Sequence, residues 1–320
     1  MRAAAILGLG ASPLKYLQWF GRNSHATWQL GLPAHSSDAD AIVVFGGDGT
    51  VHRHLAPLAK LQLPLLVVPC GSGNDFARAL HLGRIGDSIA AWRKFCSGVG
   101  NVRAIDLGVI SPLGPPELKS SLSSRPSSQT QAPALPAAGS ASACEPIGHY
   151  FCCVGGVGLD AEIARRANQL PPWIRRRGGY LLSLLPALLG FRPVPVMVRA
   201  GQPGPPDRFA IRHQGPAIVV AFANAPAYGD GIKIAPAARL DDGRLDVCVV
   251  GNMGKVRLLR LFPSVYSGSH LSISEVKYFQ TERLQLETEL EMDVYADGEY
   301  VCRTPVEVRV AGGALRAIVP

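Results

Sequence analysis

The chain has 320 residues, of which 47% are apolar and 18% are charged, and its formal net charge is +8. This length can fill two ordinary domain cores, which excludes a small scaffold that needs disulfides to fold. Its seven cysteines show neither zinc-ligand spacing nor an even disulfide framework, which favours a reducing cytoplasm.

The positive charge suits an acidic partner, such as phosphate groups or the anionic headgroups of a membrane. It would equally suit nucleic acid. The sequence, however, contains no helix-turn-helix, zinc-finger or aromatic RNA-binding pattern. We therefore expect attraction to a membrane surface and no nucleic-acid partner.

The first elements along the chain predict an α/β layer. MRAAAILGLGASP (1–13) is too short in its apolar run for a secretion signal and predicts a first buried strand. AIVVF (41–45) and LPLLVVP (63–69) are rich in β-branched residues and end in Gly or Pro, which is typical of buried parallel strands.

A glycine turn follows each of these two strands. In GGDGT (46–50), main-chain N–H groups can approach a phosphate without a Cβ in the way, and Thr50 is expected to cap the next helix. The N-terminus of that helix favours bound phosphate. GSGND (71–75) follows the second strand, so both turns should emerge at the carboxyl edge of one sheet, where such folds bind ligands.

The second half of the chain has a different pattern. Residues 111–146 are dominated by Ser, Pro and Ala and predict a disordered insertion. Beyond them, short apolar runs separated by Gly, Pro and Asp predict a β-rich domain. The runs are YFCCV (150–154), VPVMVRA (194–200), AIVVAFAN (217–224), LDVCVV (245–250) and VEVRV (306–310).

One segment between these strands allows two interpretations. PPWIRRRGGYLLSLLPALLGFRP (171–193) has three arginines before an apolar stretch that is too short and too broken by proline to cross a bilayer. It is either a core helix or a basic and apolar rim at a membrane surface. In the second case Trp173 and Tyr180 would lie at headgroup depth.

The glycine turns resemble those of the bacterial diacylglycerol kinases and their relatives, the sphingosine and ceramide kinases. Further segments match in order: IDLG (105–108), GGVGLDAEIA (155–164), AYGDGIKIAPAARLDDGRLDVCVV (227–250) and YADGEYV (295–301). The resemblance covers most of the chain outside the insertion. It implies an α/β + β fold class, with an N-terminal α/β nucleotide-binding domain like that of NAD kinases and diacylglycerol kinases and a C-terminal β-rich, sandwich-like lipid-binding domain.

The matching boundaries are 1–108 for the nucleotide domain and 147–304 for the substrate domain, with 305–320 returning to the first domain. The resemblance also assigns roles to single residues. The turns that hold the nucleotide comprise Gly46, Gly47, Asp48, Gly49, Thr50, Gly71, Ser72, Gly73 and Asn74. The acidic positions linked through water and Mg²⁺ near the phosphates are Asp48, Asp75 and Asp106.

Asp297 and Glu299 match the candidates for the base that takes the proton of the lipid hydroxyl, and we rank Asp297 first. An ADGE segment is also an ordinary hairpin turn. Asp160 matches an acidic position that sphingosine kinases use near the lipid headgroup, although a helix cap would explain it equally well.

The segment ARLDDGRLD (238–246) resembles a loop that holds a structural Mg²⁺. On that match, Asp242 supplies a carboxylate and Arg239 and Arg244 supply main-chain oxygens, the kind of ligand that hard cations prefer. A plain β-turn without metal is the alternative.

Three features depart from the family pattern. The first turn reads LGLGAS (7–12) in place of an Asn-Pro and glycine turn, although Gly8, Gly10 and Ser12 could still approach a phosphate. The span from this turn to Asp48 is short, so one helix is expected to be reduced or missing. After GGDGT, His52-Arg53 replaces the usual Asn-Glu pair, and Pro57 is expected to interrupt the helix.

The leading hypothesis is a lipid kinase that uses ATP and Mg²⁺ to phosphorylate diacylglycerol or a similar lipid at the cytoplasmic face of a membrane. The alternatives are an enzyme like NAD kinase and a catalytically inactive lipid-binding homologue. The sequence leaves the oligomeric state open, with a homodimer as one option.

Overall fold

The computed structural model describes residues 1–9, 12–22, 26–114, 148–171, 179–202, 208–229 and 231–320. Residues 115–146 of the predicted insertion lie outside this range, as do Gly10 and Trp173. The side chain of Tyr180 is likewise outside it. Ser111 and Pro112, which we assigned to the insertion, instead end a strand.

The N-terminal half forms a parallel sheet with helices against it. Its elements are β1 (Arg2–Leu7), α1 (Ser12–Arg22), β2 (Thr27–Leu30), β3 (Ala41–Gly46), α2 (Asp48–Leu61), β4 (Pro64–Pro69), α3 (Asp75–Ala79) and α4 (Ile85–Cys96). The strands β2, β1, β3 and β4 are neighbours in that order and run parallel. The predicted buried parallel strands are therefore confirmed, and both glycine turns leave the same edge of this sheet.

The C-terminal half is mainly antiparallel. Its elements are β5 (Val102–Pro112), β6 (His149–Phe151), β7 (Val154–Gly158), α5 (Leu159–Gln169), α6 (Gly179–Gly190), β8 (Val194–Gly201), β9 (Phe209–Ala223), β10 (Leu245–Gly251), α7 (Lys255–Leu261), α8 (Ser264–Ser267), β11 (Val276–Thr281), β12 (Arg283–Thr288), β13 (Asp293–Ala296), β14 (Glu299–Arg303) and β15 (Val306–Ile318). A buried apolar cluster that includes Phe151, Phe222 and Leu286 fills the space between these strands.

The last strand joins the two halves. Val306–Ala311 of β15 pairs with β5 antiparallel, and part of the same stretch pairs with β12. Beyond an irregularity at Gly312 and Gly313, Arg316 and Ala317 pair with β4 in the parallel sense. The chain end thus returns to the first sheet, as the family resemblance implies.

The helix after the first glycine turn is continuous through Pro57. We expected this proline to interrupt it, because proline lacks an N–H and clashes with the preceding turn. Val51, Leu55 and Leu58 are buried along one face of α2, and this packing holds the helix together across the missing hydrogen bond. The expectation was therefore wrong.

Among the described residues, no helix is long and apolar enough to cross a membrane. The α6 segment has one buried side and one exposed side, and the membrane-surface interpretation of residues 171–193 stays a prediction. Leu184 and Leu188 face the interior, whereas Leu182, Leu185 and Leu189 are exposed.

Candidate functional site

The two glycine turns lie against each other. A Cβ on Gly71 would stand 2.6 Å from the Cα of Gly47, and a Cβ on Gly47 would stand 2.8 Å from the Cα of Gly71. Only glycine at both positions lets the two main chains come this close. Asn74, at φ 58°, accepts the N–H of Gly71 and donates to its carbonyl oxygen, both at 2.8 Å. The second turn is thus closed by its own side chain, with Ser72 exposed at its tip.

Asp48 connects the first turn to the second. Its Oδ2 accepts the N–H of Asp75 at 3.1 Å, and its Oδ1 accepts the N–H of Phe76 at 3.0 Å. Burial raises the pKa of Asp48, the two N–H donors oppose this effect, and the negative charge of Asp297 adds to it. One carboxylate therefore fixes the start of α3 relative to the start of α2.

A second carboxylate faces the same point. A Cβ on Gly73 would stand 2.9 Å from Oδ2 of Asp48 and 3.5 Å from Oδ2 of Asp75. Asp75 is buried and its Oδ1 accepts Arg78 at 3.0 Å. Two aspartates and two glycine turns thus converge at the N-termini of two helices.

Thr50 lies inside α2 and does not cap it. The helix begins at Asp48 with Gly47 at the N-cap, and no side chain makes a capping hydrogen bond there. A Cβ on Gly46 would stand 2.6 Å from Cβ of Thr50, and a Cβ on Gly8 would stand 2.8 Å from its Oγ1. The predicted cap is therefore wrong, because the main chain enters the helix earlier than expected, and Thr50 instead packs between two turns.

The turn after β1 contributes through Gly8, whose N–H donates to the carbonyl oxygen of Phe45 at 2.8 Å. Ser12 begins α1, and its side chain lies outside the described part of the chain. Gly8 is thus the member of the predicted first turn that the structure places beside Thr50.

Main-chain donors surround Asp297. Its Oδ2 accepts the N–H of Cys152 at 2.8 Å, and its Oδ1 accepts those of Cys153 at 2.8 Å and Val154 at 3.3 Å. His52 Nδ1 lies 3.0 Å from Oδ2, and the Asp297 side chain is 0% exposed. A base must reach the hydroxyl from which it takes a proton. This environment makes Asp297 an anchor for the chain, and its role as the base stays a prediction.

Glu299 lies over the first turn of α2. Its Oε1 is 3.4 Å from the position of a Cβ on Gly49, and the residue is only half-buried. A carboxylate here lies at a helix N-terminus, where negative charge is favourable. Of the two predicted bases, Glu299 is the one that remains accessible beside the glycine turns.

Asp106 is also held by main-chain donors. Its Oδ2 accepts the N–H of Gly243 at 2.7 Å, and its Oδ1 accepts the N–H of Gly313 at 2.8 Å. Its carbonyl oxygen accepts Nδ2 of the buried Asn224 at 2.9 Å. This aspartate therefore ties the loop before β10 to the irregularity in β15.

The three predicted magnesium carboxylates do not form one compact set. Among the side chains that the structure describes, the one group of three whose ligand atoms lie within 4.8 Å of one another is Cys152, Cys153 and Asp297. Burial raises the pKa of Cys152 well above its ordinary value. Linkage of Asp48, Asp75 and Asp106 through water and Mg²⁺ stays a prediction.

The loop predicted to hold a structural Mg²⁺ forms a turn. Oδ1 of Asp242 accepts the N–H of Arg244 at 3.1 Å, and Nε of Arg239 donates to Asp241 at 3.3 Å. The Asp242 contact is one that the plain β-turn, which we considered as the alternative, would also make. The metal role of Arg239, Asp242 and Arg244 stays a prediction.

A cavity of about 230 Å³ lies between α5, α6, α7 and α8. Its wall is almost wholly apolar and includes Ile163, Leu184, Leu188, Val219, Leu258 and Phe262. Apolar pockets with a few placed polar groups are typical small-molecule sites. The polar side chains in its wall include Asp160 and Tyr228.

Asp160 lies in the first turn of α5, but Gly158 is the N-cap and no side chain makes a capping bond. Its Oδ1 instead accepts the hydroxyl of Tyr228 at 2.7 Å. Burial raises the pKa of Asp160 to about 6, although the Tyr228 bond opposes this effect. A Cβ on Gly156 would stand 3.5 Å from Oδ2 of Asp160. Asp160 and Asp297 therefore contact the same strand, at Gly156 and at Val154, which are roughly 7 Å apart along β7.

Sequence reasoning did not find the roles of His52 and Tyr228. We treated His52 as a departure from the family pattern, whereas it contacts Asp297 across the two halves of the chain. Tyr228 lies 68 residues from Asp160. The signal for Tyr228 was its place in the matched segment 227–250.

Comparison with known proteins agrees with this geometry. Residues 22–110 match the family model "Diacylglycerol kinase catalytic domain", and residues 154–319 match "YegS C-terminal NAD kinase beta sandwich-like domain". The second match covers slightly more than half of the chain.

Relatives match over nearly the whole chain. A diacylglycerol kinase of Mycobacterium tuberculosis (strain ATCC 25618 / H37Rv) is 28% identical over 306 residues, covering 94% of this chain and 83% of the relative. A diacylglycerol kinase of Bacillus subtilis (strain 168) is 25% identical over 296 residues, covering 89% and 81%. A crystal structure of a diacylglycerol kinase from Bacillus anthracis str. Sterne has the same fold, with a TM-score of 0.61, 19% identity and coverage of 100% and 97%. The chain belongs to the diacylglycerol kinase and YegS-like family of lipid kinases.

Proposed function

We propose that the protein transfers the γ-phosphoryl group of ATP to a hydroxyl of diacylglycerol or a similar lipid, in a reaction that depends on Mg²⁺. The observation that carries the proposal is the contact between Gly47 and Gly71, with Asp48 bound to the N–H groups of Asp75 and Phe76. Two glycine-rich loops, each at a helix N-terminus, suit a chain of phosphates.

The donor chemistry around these loops fits Mg²⁺. Asp48 and Asp75 present carboxylate oxygens toward one point near Gly73, and Mg²⁺ prefers a few carboxylates together with water and phosphate oxygens. These two aspartates would hold the ion, with Asp106 behind them. When bound, it would offset negative charge on the transferred phosphoryl group.

The protein's own groups then have distinct tasks. Glu299 accepts the proton of the lipid hydroxyl from its place over Gly49. Asp297 anchors the turn that carries Glu299, since its carboxylate holds three main-chain N–H groups. Phosphoryl transfer depends mainly on such positioning and on charge.

The apolar cavity supports a lipid acceptor. An acyl chain would lie among Ile163, Leu184 and Leu188, and Asp160 with Tyr228 would bind the polar end of the lipid. The contacts of Asp160 with Gly156 and of Asp297 with Val154 lie on one strand, which supports a binding position for the hydroxyl close to the glycine turns. A buried carboxylate could also receive the amine of a long-chain base, so the substrate panel must include one.

A face beside the cavity suits a bilayer surface. Leu185 and Leu189 of α6 are 52% and 65% exposed, and Val256 and Leu259 of α7 are also exposed. Basic side chains alternate with the apolar ones on α7, at Lys255, Arg257 and Arg260. Apolar groups flanked by cations bind the interface of an anionic membrane. We propose that this face binds the cytoplasmic leaflet and that lipid enters the cavity from it.

We also propose the division of labour that the resemblance implies. Residues 1–108 with the returning end of 305–320 would bind nucleotide, and residues 147–304 would bind lipid. The return of the chain end to the nucleotide domain is supported by Arg316 and Ala317 of β15, which pair with β4 of the first sheet.

The proposal is tested by incubating the protein with ATP, Mg²⁺ and one acceptor at a time: vesicles with diacylglycerol, vesicles with a long-chain base, or soluble NAD. Mass spectrometry identifies the phosphorylated product. We expect a phosphorylated lipid and no NADP. Phosphorylation of NAD alone, or vesicle binding without any transfer, would support one of the alternatives instead.

A further inference from the structure

A side-chain pair ties the helix after the first glycine turn to the β-rich half. Nδ1 of His52 lies 3.0 Å from Oδ2 of Asp297, at 245 residues' separation. The His52 side chain is 15% exposed and that of Asp297 is 0% exposed. An ion pair or hydrogen bond with this little exposure is screened far less than a surface pair.

Asp297 occupies a turn with a demanding backbone. Its φ is 50° and that of Gly298 is 83°, so two successive residues are in the left-handed region, as in a tight hairpin turn. The N–H of Asp297 donates to the carbonyl oxygen of Val154 at 2.9 Å, and Nδ2 of Asn168 donates to that of Gly298 at 2.8 Å. Glu299 follows directly, so the position of this turn decides where Glu299 lies.

Two contacts between α2 and this turn share one face of the helix. Glu299 lies over Gly49, and Asp297 contacts His52, which is three residues further on. Residues three apart in a helix are neighbours on its surface. His52 therefore contacts the turn that contains Asp297 at a point three residues along α2 from Gly49, over which Glu299 lies.

We propose that His52 is a positioning residue for phosphoryl transfer: through Asp297 it holds Glu299 over the first turn of α2. This inference rests on the proposed function and adds a residue that departs from the family pattern. The asparagine usual at this position could donate the same hydrogen bond, since its amide nitrogen is a donor. Histidine adds a charge that depends on pH.

The charges around His52 strengthen the bond in its protonated form. Burial lowers the pKa of His52, but the hydrogen bond to Asp297 and the charges of Asp297 and Glu299 outweigh burial and the opposing charge of Arg53, so the pKa is raised. The Cys152 thiol also contacts Asp297, at 3.4 Å. The stabilisation of the fold by the pair of protonated His52 and Asp297 is complete below the ordinary histidine pKa. It is lost as pH rises through the raised pKa of His52.

Three variants distinguish a positioning role of His52 from a purely structural role. His52→Ala removes the bond, His52→Asn keeps a donor without the charge, and His54→Ala is the matched control. His54 lies on the same helix, and its Nδ1 lies 2.8 Å from the main-chain oxygen of Thr50. Each variant is assayed for kcat and KM with ATP and diacylglycerol vesicles at pH 6 to 9. Hydrogen exchange of the 296–300 segment is measured without substrates.

For His52→Ala we expect kcat to fall about 10- to 100-fold with KM for ATP nearly unchanged, because a small displacement of a reacting group carries a penalty of this size. His52→Asn should recover most of kcat, and the ratio of wild-type to His52→Asn activity should fall as pH rises. Exchange at 296–300 should increase in His52→Ala and not in His54→Ala.

The inference is overturned if His52→Ala keeps wild-type kcat, if both alanine variants lose kcat equally, or if the activity ratio is independent of pH. Should the wild-type protein phosphorylate none of the lipids, the proposed function fails. Hydrogen exchange still decides the role of His52 in that case, since unchanged protection at 296–300 in His52→Ala refutes the anchoring role.

Discussion

Gly47 and Gly71 touch through their main chains, with a Cβ on Gly71 only 2.6 Å from the Cα of Gly47. The two residues come from turns after different strands, and their contact brings two helix N-termini to one place. No other amino acid can take either position without moving the opposite turn.

Gly71→Ala should therefore lower activity by about 100-fold or more and destabilise the fold by about 1 to 3 kcal/mol, the usual range for overpacking. Gly86→Ala is the control, because a Cβ there would meet nothing within 4 Å. It should leave both activity and the unfolding midpoint in urea unchanged or slightly improved. Equal behaviour of the two variants would show that the contact is unimportant.

Glu299→Gln should lower kcat by about 100- to 10,000-fold, the range for loss of a general base. The residue is only half-buried, so thermal unfolding should stay close to that of the wild type. A kcat within a few-fold of the wild type would remove Glu299 from this role.

Asp297→Asn should lower stability as well as activity. The carboxylate accepts three main-chain N–H groups and faces His52, whereas asparagine has one oxygen and an NH₂ that would face a donor. An unsatisfied buried group costs about 1 to 3 kcal/mol, measurable as the free energy of unfolding in urea. A variant as stable as the wild type would contradict the anchoring role.

Asp160→Asn should make the protein more stable at neutral and alkaline pH. Burial raises the pKa of Asp160 from 3.8 to about 6, so its contribution to stability is complete below the unfolded pKa and is lost as pH rises through about 6. The variant should therefore gain up to about 3 kcal/mol above pH 7, since one pKa unit is about 1.4 kcal/mol. Urea unfolding at pH 4.5 and pH 8 checks this. If the difference in free energy of unfolding between the variant and the wild type does not grow with pH, this prediction is wrong.

The bilayer face can be tested with Leu185→Glu combined with Leu189→Glu. Both side chains are exposed, so the fold should be retained while binding to anionic vesicles weakens by about tenfold or more, because apolar burial is replaced by charge repulsion. Leu30→Glu is the control, since this exposed leucine lies on β2 in the other half. Co-sedimentation with vesicles that is equally reduced in both proteins would argue against this face.

The sequence predicted the parts of the site that local chemistry determines. Strands 41–45 and 63–69 end in glycine turns, and parallel neighbours place those turns at one edge, so the approach of Gly47 to Gly71 was foreseeable. The family resemblance supplied Asp48, Asp75 and Glu299 by motif.

The remaining features depend on contacts between distant segments, which local patterns do not encode. The burial of Asp297 needs the N–H groups of residues 152–154, and its contact with His52 joins two halves of the chain. Pro57 was misjudged because helix packing outweighs local propensity. The capping role of Thr50 was predicted wrongly because sequence patterns do not determine the exact residue at which α2 begins.

The central claim is tested most directly by following radioactive γ-phosphate from ATP into diacylglycerol vesicles, with the wild-type protein beside Glu299→Gln and Asp48→Asn. We expect label in the extracted lipid for the wild type and at least about 100-fold less for each variant, as expected when a base or a charge-binding group is removed. Equal labelling by all three proteins, or label that never enters lipid while the wild-type protein is folded, would contradict the account.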